Sequence, residues 1–292
     1  MNILITGQNG MLGSCLSKTL SEHHTIIKPD ARIDITDIGT LRKKISVLGR
    51  LDYIVNCAAV TDTNYCNTNE GMKDSFNVNC LGVKNLAEIC REFDIHLIHV
   101  STDYVHSEYS TKDNDEFPVN VYGLHKLLGE KYIVETIKDI TKYSIIRCSW
   151  LYGMTDRKKN FVDKIVEFAN NSKNGTIKVV NDCFGRPSSV EYVSEFISKC
   201  IEYGQYGIID GQINSKPISR YDFSKMIIGN MNLGVEVVPV DSNFFPTVIN
   251  QPKNMPETIT DESMKFGEIT SSIDHSDDYE YWLKRYTKER YQ

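Results

Sequence analysis

The sequence predicts an α/β protein: a doubly wound parallel sheet followed by a smaller C-terminal α/β domain. Three observations predict it. Short β-rich apolar runs alternate with helical periodicity through the first half of the chain. A glycine turn follows the first of those runs, and the strict alternation loosens after Gly153. The length, 292 residues, suits one large domain or two intimate ones around a sizeable core.

Asn2–Thr6 reads as the first strand. Gly7-Gln8-Asn9-Gly10-Met11-Leu12-Gly13 follows at once, and a helical stretch continues through Leu16 and Leu20. Strand, glycine turn and helix in that order form a pyrophosphate cradle. The glycines permit a tight turn and close backbone approach, and the helix start offers free N–H groups and a positive dipole end. The spacing is Gly-x-x-Gly-x-x-Gly. Gly7, Asn9, Gly10, Met11, Leu12 and Gly13 are therefore read as cofactor contacts of a Rossmann-type dinucleotide fold.

Thr25-Ile26-Ile27 is the second strand. A fold that prefers NAD usually ends this strand with an acid for the ribose diol. Here Lys28, Pro29 and Asp30 follow, with Arg32 nearby. Lys28 and Arg32 are read either as partners of a 2′-phosphate or as solvated loop charges, and the expected cofactor is NADPH with NADH left open. Asp34-Ile35-Thr36-Asp37 then opens a helix carrying Leu41 and Ile45, with Thr36 or Asp37 as its cap. Asp34 and Ile35 are counted with the cofactor contacts.

Leu51 to Asn56 makes a third strand that runs into Cys57-Ala58-Ala59, small residues that let a ligand approach the backbone. A polar loop with Asp62 and Asn64 leads to a long helix, roughly 71–93, that holds Asn79 in an apolar stretch. A structural hydrogen bond is the preferred role for Asn79, and it is placed on the cofactor side. The fourth strand, His96–Thr102, ends in hydroxyls. Ligands bind beyond the carboxyl ends of such strands, so Thr102 falls where a reacting group would sit.

Tyr122-Gly123-Leu124-His125-Lys126 carries Tyr-x-x-x-Lys on a predicted helix that Asn120 or a neighbour caps. The two side chains share one face. An ammonium beside a phenol lowers the phenol's pKa towards the range useful for proton transfer. Tyr143–Arg147 is a further strand. Beyond it, helices are expected over 160–170, 221–228 and 276–286 and a strand over 177–180. An irregular stretch covers 241–257, and substrate specificity is assigned to this half.

Composition narrows the function. Hydrophobic content of 40% and charged content of 25% are ordinary for a soluble protein. A net charge of −6 gives no general attraction to nucleic acid or an anionic membrane. Arg157-Lys158-Lys159 is the local basic run. The 8 cysteines include no Cys-x-x-Cys and read as reduced thiols. No apolar run approaches the roughly 18 residues of a membrane span. A strand-like start without a signal peptide points to the cytoplasm.

Taken in order, Gly7/Gly10/Gly13, Ser101-Thr102 and Tyr122/Lys126 resemble the extended short-chain dehydrogenase/reductase superfamily. The stretches 100–105, 118–123, 147–152 and 180–187 narrow this: the chain resembles the dTDP-4-dehydrorhamnose reductase family over roughly residues 1–200. The resemblance implies an NAD(P)-binding domain over 1–152, with a segment near 180–215 returning to it, and a mainly sugar-nucleotide-binding domain over 153–292. It implies NAD(P)H-dependent reduction of a 4-keto-6-deoxy-L-hexose on a nucleoside diphosphate, dTDP or UDP, with a hydroxyl or an acetamido group at C2. Tyr122 would be the proton donor, Lys126 would hold the nicotinamide ribose, and Thr102 would bond the substrate carbonyl. Ala58, Ala59 and Thr61 would line the cofactor. Asp103, Tyr104 and Trp150 would meet the substrate.

The chain departs from the family pattern in three places. His106 stands where the family usually has Phe, the loop between Tyr104 and Pro118 is short, and Gln251-Pro252 stands for its Arg-Pro. Dehydratases of this superfamily carry Asp-Glu after the Thr, whereas Asp103 is followed by Tyr104; epimerase-reductases place a Cys where Asp103 stands. A non-catalytic subunit like that of methionine adenosyltransferase is the competing class, and such a subunit needs no Tyr/Lys pair. A homodimer is left open, and no ligand cluster calls for a metal.

Overall fold

The computed structural model describes residues 1–30, 32–110, 115–155, 159–245, 250–253 and 266–291. Arg157, Lys158 and most of the stretch 246–257 lie outside them. Strand β1 (Asn2–Thr6) leads into helix α1 (Met11–Leu20), β2 (Thr25–Ile27), α2 (Ile38–Val47) and β3 (Tyr53–Asn56). Short helices α3 (Thr63–Cys66) and α4 (Asn69–Ser75) follow, then a π-helical stretch Phe76–Gly82 and α5 (Val83–Glu92). Next come β4 (His96–Thr102), α6 (Val121–Ile137) and β5 (Tyr143–Cys148).

The second half contributes α7 (Phe161–Asn170), β6 (Thr176–Val180), β7 (Phe184–Gly185), α8 (Val190–Tyr203) and β8 (Gly207–Asp210). It ends with β9 (Ile218–Ser219), α9 (Arg220–Met231), β10 (Glu236–Val240), α10 (Phe266–Ser271) and α11 (Tyr279–Tyr291).

The main sheet runs β2-β1-β3-β4-β5-β8, with every pairing parallel. The strand order reverses between β1 and β3, where open α/β sheets leave a crevice for ligands. Each face of the sheet is covered. Leu12, Leu16 and Leu20 of α1 join Tyr192, Val193, Phe196 and Ile197 of α8 on one face. Leu41 and Ile45 of α2, Leu86 and Ile89 of α5 and Ile133 of α6 cover the other. Burying such runs at roughly 25 cal/mol per Å² supplies most of the drive to fold.

A third apolar cluster belongs to the second half. Val162, Ile165 and Val166 of α7 pack with Phe223 and Ile227 of α9, the β6–β10 pair, and Leu283 and Tyr286 of α11. Its polar key is Asp163. Asp163 completes a capping box with Asn160, and one of its oxygens accepts from the Tyr286 and Tyr291 hydroxyls at 2.8 and 2.6 Å.

Several local expectations hold at atomic level. Asn120 accepts from the Gly123 N–H at 2.9 Å to cap α6, and Asp37 caps α2 through the Thr40 N–H. The helix expected over 71–93 is continuous but broken by the π-helical stretch. Several elements escaped the sequence reading, among them helix α8 and strands β8 and β10. Helix α8 carries apolar residues at helical spacing, a signal that was there to find. Strand β8 is only 4 residues long and gains its identity by pairing with β5. Among the described residues no helix is long and apolar enough to cross a membrane. None of the 8 cysteines is in a disulfide.

Helix α6 lies so close to the π-helical stretch that a Cβ on Gly129 would collide with the Asn79 carbonyl oxygen. Gly129→Ala should therefore lower stability by about 1–3 kcal/mol through overpacking, outweighing alanine's better helix propensity. A lowered midpoint in thermal or urea unfolding is the expected result.

Candidate active site

A cavity of about 580 Å³ opens at the carboxyl ends of β1, β3, β4 and β5. Its floor is the glycine turn. Gly7 has φ +68°, and a Cβ there would stand 2.7 Å from the Ala58 nitrogen, so only glycine lets the ends of β1 and β3 meet. Gly10 offers no side chain to cap α1. The first-turn N–H groups of α1 are thus left for a ligand, and Gly10, Met11, Leu12 and Gly13 line the cavity. This turn fits a dinucleotide pyrophosphate.

Thr102, Asp103, Tyr104, Tyr122, Lys126 and Trp150 line the same cavity, together with Ala59 and Thr61. Fourfold spacing on α6 puts Tyr122 and Lys126 on one face, and the capped start of that helix aims the face at the end of β4. The Thr102 hydroxyl accepts from the Tyr104 N–H and donates to Asp103 Oδ1, both at 3.2 Å. It also lies near enough to the Tyr122 phenol to favour the phenolate. Trp150 adopts φ +40°, a strained backbone for a bulky residue, and its ring occupies space that a Cβ on Gly185 would fill.

Other expected contacts lie off the lining. Asp34 turns its carboxylate back to the Thr36 N–H and hydroxyl at 2.9 and 2.7 Å. Ile35 is buried in the core between α2 and α5. Asn79 is fully buried; it accepts from the Val60 N–H at 3.0 Å and donates to the Val60 carbonyl at 2.9 Å. It thereby holds the 58–61 loop against the cavity from behind. Gly7, Asn9 and Ala58 shape the turn without facing the cavity. Lys28 and Arg32 are exposed after β2, and no acid ends that strand.

The electrostatics correct one expectation. Lys126 does not draw the Tyr122 phenol down. Burial pushes the phenol up, with the Thr102 hydrogen bond opposing. Lys126 is buried with its ammonium donating to the Val100 carbonyl at 2.7 Å and 3.2 Å from His99 Nε2. Burial lowers Lys126 to about 8, with Glu130 pulling the other way. His99, also buried, is held well below the usual imidazole range by desolvation and by Lys126. Asp103 is pushed up to about 7 by burial, and its Oδ2 has no hydrogen-bond partner among the described residues.

Behind α6 lies a buried ionic network. Arg147 of β5 donates to both Glu130 oxygens at 3.2 and 2.7 Å and to Glu116 at 2.8 Å. It also donates to His106 Nε2 at 2.9 Å, and Ser101 bonds Glu130. His106, to which no role was given, thus seats the loop before α6.

The sequence reading missed Lys164 of α7 and Arg220 of α9 on the lining. Gln251, noted only as a departure, also faces the cavity, and its Oε1 accepts from the Tyr104 hydroxyl at 2.8 Å.

A family model described as the RmlD substrate binding domain matches residues 1–273. The chain belongs to the RmlD family. A dTDP-4-keto-6-deoxy-D-glucose reductase from Streptomyces niveus is 31% identical over 229 residues, 76% of each chain. The crystal structure of a dTDP-4-dehydrorhamnose reductase from Clostridium acetobutylicum superimposes with TM-score 0.86 at 26% identity, over 100% of both chains. That of a Bacillus anthracis dTDP-4-dehydrorhamnose reductase, in complex with NADP, gives 0.84 at 27% identity over 99% of each. This RmlD-family chain therefore shares its full architecture with solved reductases.

Asp103 gives a pH-dependent test. Its folded pKa of about 7 lies above the unfolded value of about 4, so the folded state holds the proton between them and stability falls as pH rises through that window. The stability of Asp103→Asn relative to the unmodified protein should grow from pH 4 to 7 and level off above. Chemical denaturation across that range checks it.

Proposed function

We propose that this protein uses NADPH to reduce the 4-keto group of a dTDP-linked 4-keto-6-deoxy-L-hexose, giving dTDP-L-rhamnose or a closely related sugar nucleotide. The observation that carries the reading is the convergence of Thr102, Tyr122 and Lys126 with the glycine turn on one cavity. The relatives' names and the NADP complex of the Bacillus anthracis enzyme support the substrate and the cofactor. Lys28, where an NAD-type fold would carry an acid, supports NADPH over NADH. The division of labour follows the chain: residues 1–152 with the β8 segment hold the cofactor, and the remainder mainly holds the sugar nucleotide. The proposed location is the cytoplasm.

When bound, the nicotinamide supplies the hydride to the ketone carbon. The first-turn N–H groups of α1 hold the pyrophosphate, and Lys126 holds the nicotinamide ribose. Negative charge grows on the sugar's C4 oxygen as the reduction proceeds. Thr102 donates a hydrogen bond to that oxygen, and Tyr122 transfers its proton there. The raised phenol pKa serves this direction of reaction, because Tyr122 enters each cycle protonated at neutral pH. Trp150 packs against the sugar face, and Asp103 and Tyr104 meet its hydroxyls.

Oxidation of NADPH and of NADH is to be followed with the 4-keto-6-deoxy-L-hexose supplied separately on dTDP and on UDP. Turnover is expected with NADPH, and the preferred nucleotide identifies the pathway. Tyr122→Phe should lower kcat on the order of 10²–10³ through loss of the proton donor. Undiminished turnover in that variant would remove Tyr122 from the mechanism. NADPH binding without turnover on any such sugar would favour the non-catalytic reading.

A further inference from the structure

Arg220 sits on the cavity wall with its charge unmatched. It opens α9 at the point where Ser219 caps that helix and pairs with Phe184, and its N–H donates to the Cys183 carbonyl at 3.1 Å. The backbone is therefore fixed on both sides. The guanidinium Nη2 donates to the Tyr104 hydroxyl at 3.2 Å and to Gln251 Oε1 at 3.3 Å. The guanidinium carbon lies 5.2 Å from the centre of the Trp150 ring. All three partners are neutral.

Among the described residues Arg220 forms no ion pair. Arg147, which is buried, and Arg186 each face a carboxylate: Glu130 at 2.7 Å and Asp210 at 3.8 Å. A half-buried guanidinium held by neutral groups has lost hydration without gaining a counter-charge, and its remaining N–H donors stay free. Lys164, from α7, adds a second cation on the same lining, also without an ion pair among the described residues. The arrangement calls for an anion brought by the ligand.

Position narrows which anion. Tyr104 packs edge-on against Tyr122 with ring centres 5.9 Å apart, and its hydroxyl touches Arg220. One tyrosine ring thus separates the proton donor from the guanidinium. Tyr122, Tyr104 and the guanidinium thus follow one another along the cavity wall, as the carbonyl and anomeric ends of a sugar follow one another along its ring. A sugar presenting its C4 oxygen to Tyr122 and lying along Trp150 directs its anomeric phosphate towards Arg220.

We propose that Arg220, assisted by Lys164, anchors the sugar-proximal phosphate and makes the cavity select diphosphate-linked over monophosphate-linked sugars. The inference rests on the reductase reading and names how its substrate is gripped. Gln251 and Tyr104 orient the fork, so that a bidentate contact forms without further ordering of the side chain.

The test is calorimetric binding of dTDP and dTMP to the NADPH-loaded protein and to its Arg220→Gln and Arg220→Lys variants, with steady-state kinetics beside it. The unmodified protein should bind dTDP more tightly than dTMP. Arg220→Gln should lose roughly 10- to 100-fold in dTDP affinity, leave dTMP within about threefold, and raise the KM of the sugar nucleotide more than it lowers kcat. Arg220→Lys should fall between them, because a point charge replaces a fork. Unchanged NADPH affinity shows that the variants are folded.

Equal affinity for dTDP and dTMP in the unmodified protein would overturn the proposal, as would equal losses for both ligands in Arg220→Gln. If no 4-keto sugar is reduced but the preference for dTDP collapses in the variant, the anchor stands and the reductase reading falls.

Discussion

The buried pairing of Arg147 with Glu130 is the interaction on which the site depends. Arg147 is the penultimate residue of β5 and Glu130 lies one turn beyond Lys126 on α6, so the pair ties that helix to the sheet. Ser101 joins from β4, next to Thr102, and Glu116 and His106 join from the loop before α6. Four chain segments therefore meet at one ion pair. Breaking such a pair by removing one partner typically costs about 3–5 kcal/mol, because the charge left behind is buried and unmatched. The pair thus does more than add stability: it sets the height and rotation of α6 relative to β4, and so the distance between Tyr122 and Thr102.

Burial is the second determinant. Desolvation is the leading cause of the shifts at Tyr122, Lys126 and Asp103, and it acts on each by disfavouring the charged form. Tyr122 keeps its proton at neutral pH, Asp103 holds its proton up to about pH 7, and Lys126 holds its own less tightly than an exposed lysine. A reductase needs an acid at the ketone oxygen, and a dry pocket delivers one. The positive charge that a phosphorylated substrate needs is supplied by groups nearer solvent, Arg220 and Lys164. Proton chemistry and anion binding are thereby separated across one cavity.

The second half of the chain earns its place by positioning rather than by chemistry. Asp163 gathers Asn160, Tyr286 and Tyr291, fixing α7 and with it Lys164. The β7–β9 pair sets Gly185 beneath Trp150 and starts α9 at Arg220. Gln251, from the short described segment 250–253, completes the wall, and Asn250 receives a bond from the α6 cap Asn120 at 3.1 Å. The capping residue of α6 is thus in contact with the segment that orients Arg220.

The sequence by itself determined what depends on local spacing. A glycine turn after a first strand, hydroxyls at the end of a fourth and Tyr-x-x-x-Lys on a capped helix are each set by neighbours a few residues away. They read correctly as one fold and one cavity. Only the tertiary structure decided which partners those groups have. Lys126 turns to Val100 and His99 instead of lowering the Tyr122 phenol, Asn79 braces a loop from behind, and Ile35 packs in the core. Arg220 and Lys164 enter the cavity from helices with no motif around them. Hydrogen-bond partners, desolvation and unmatched charge depend on groups up to 147 positions apart, as in the bond from Tyr104 to Gln251, and such distances leave no periodic trace in a single sequence.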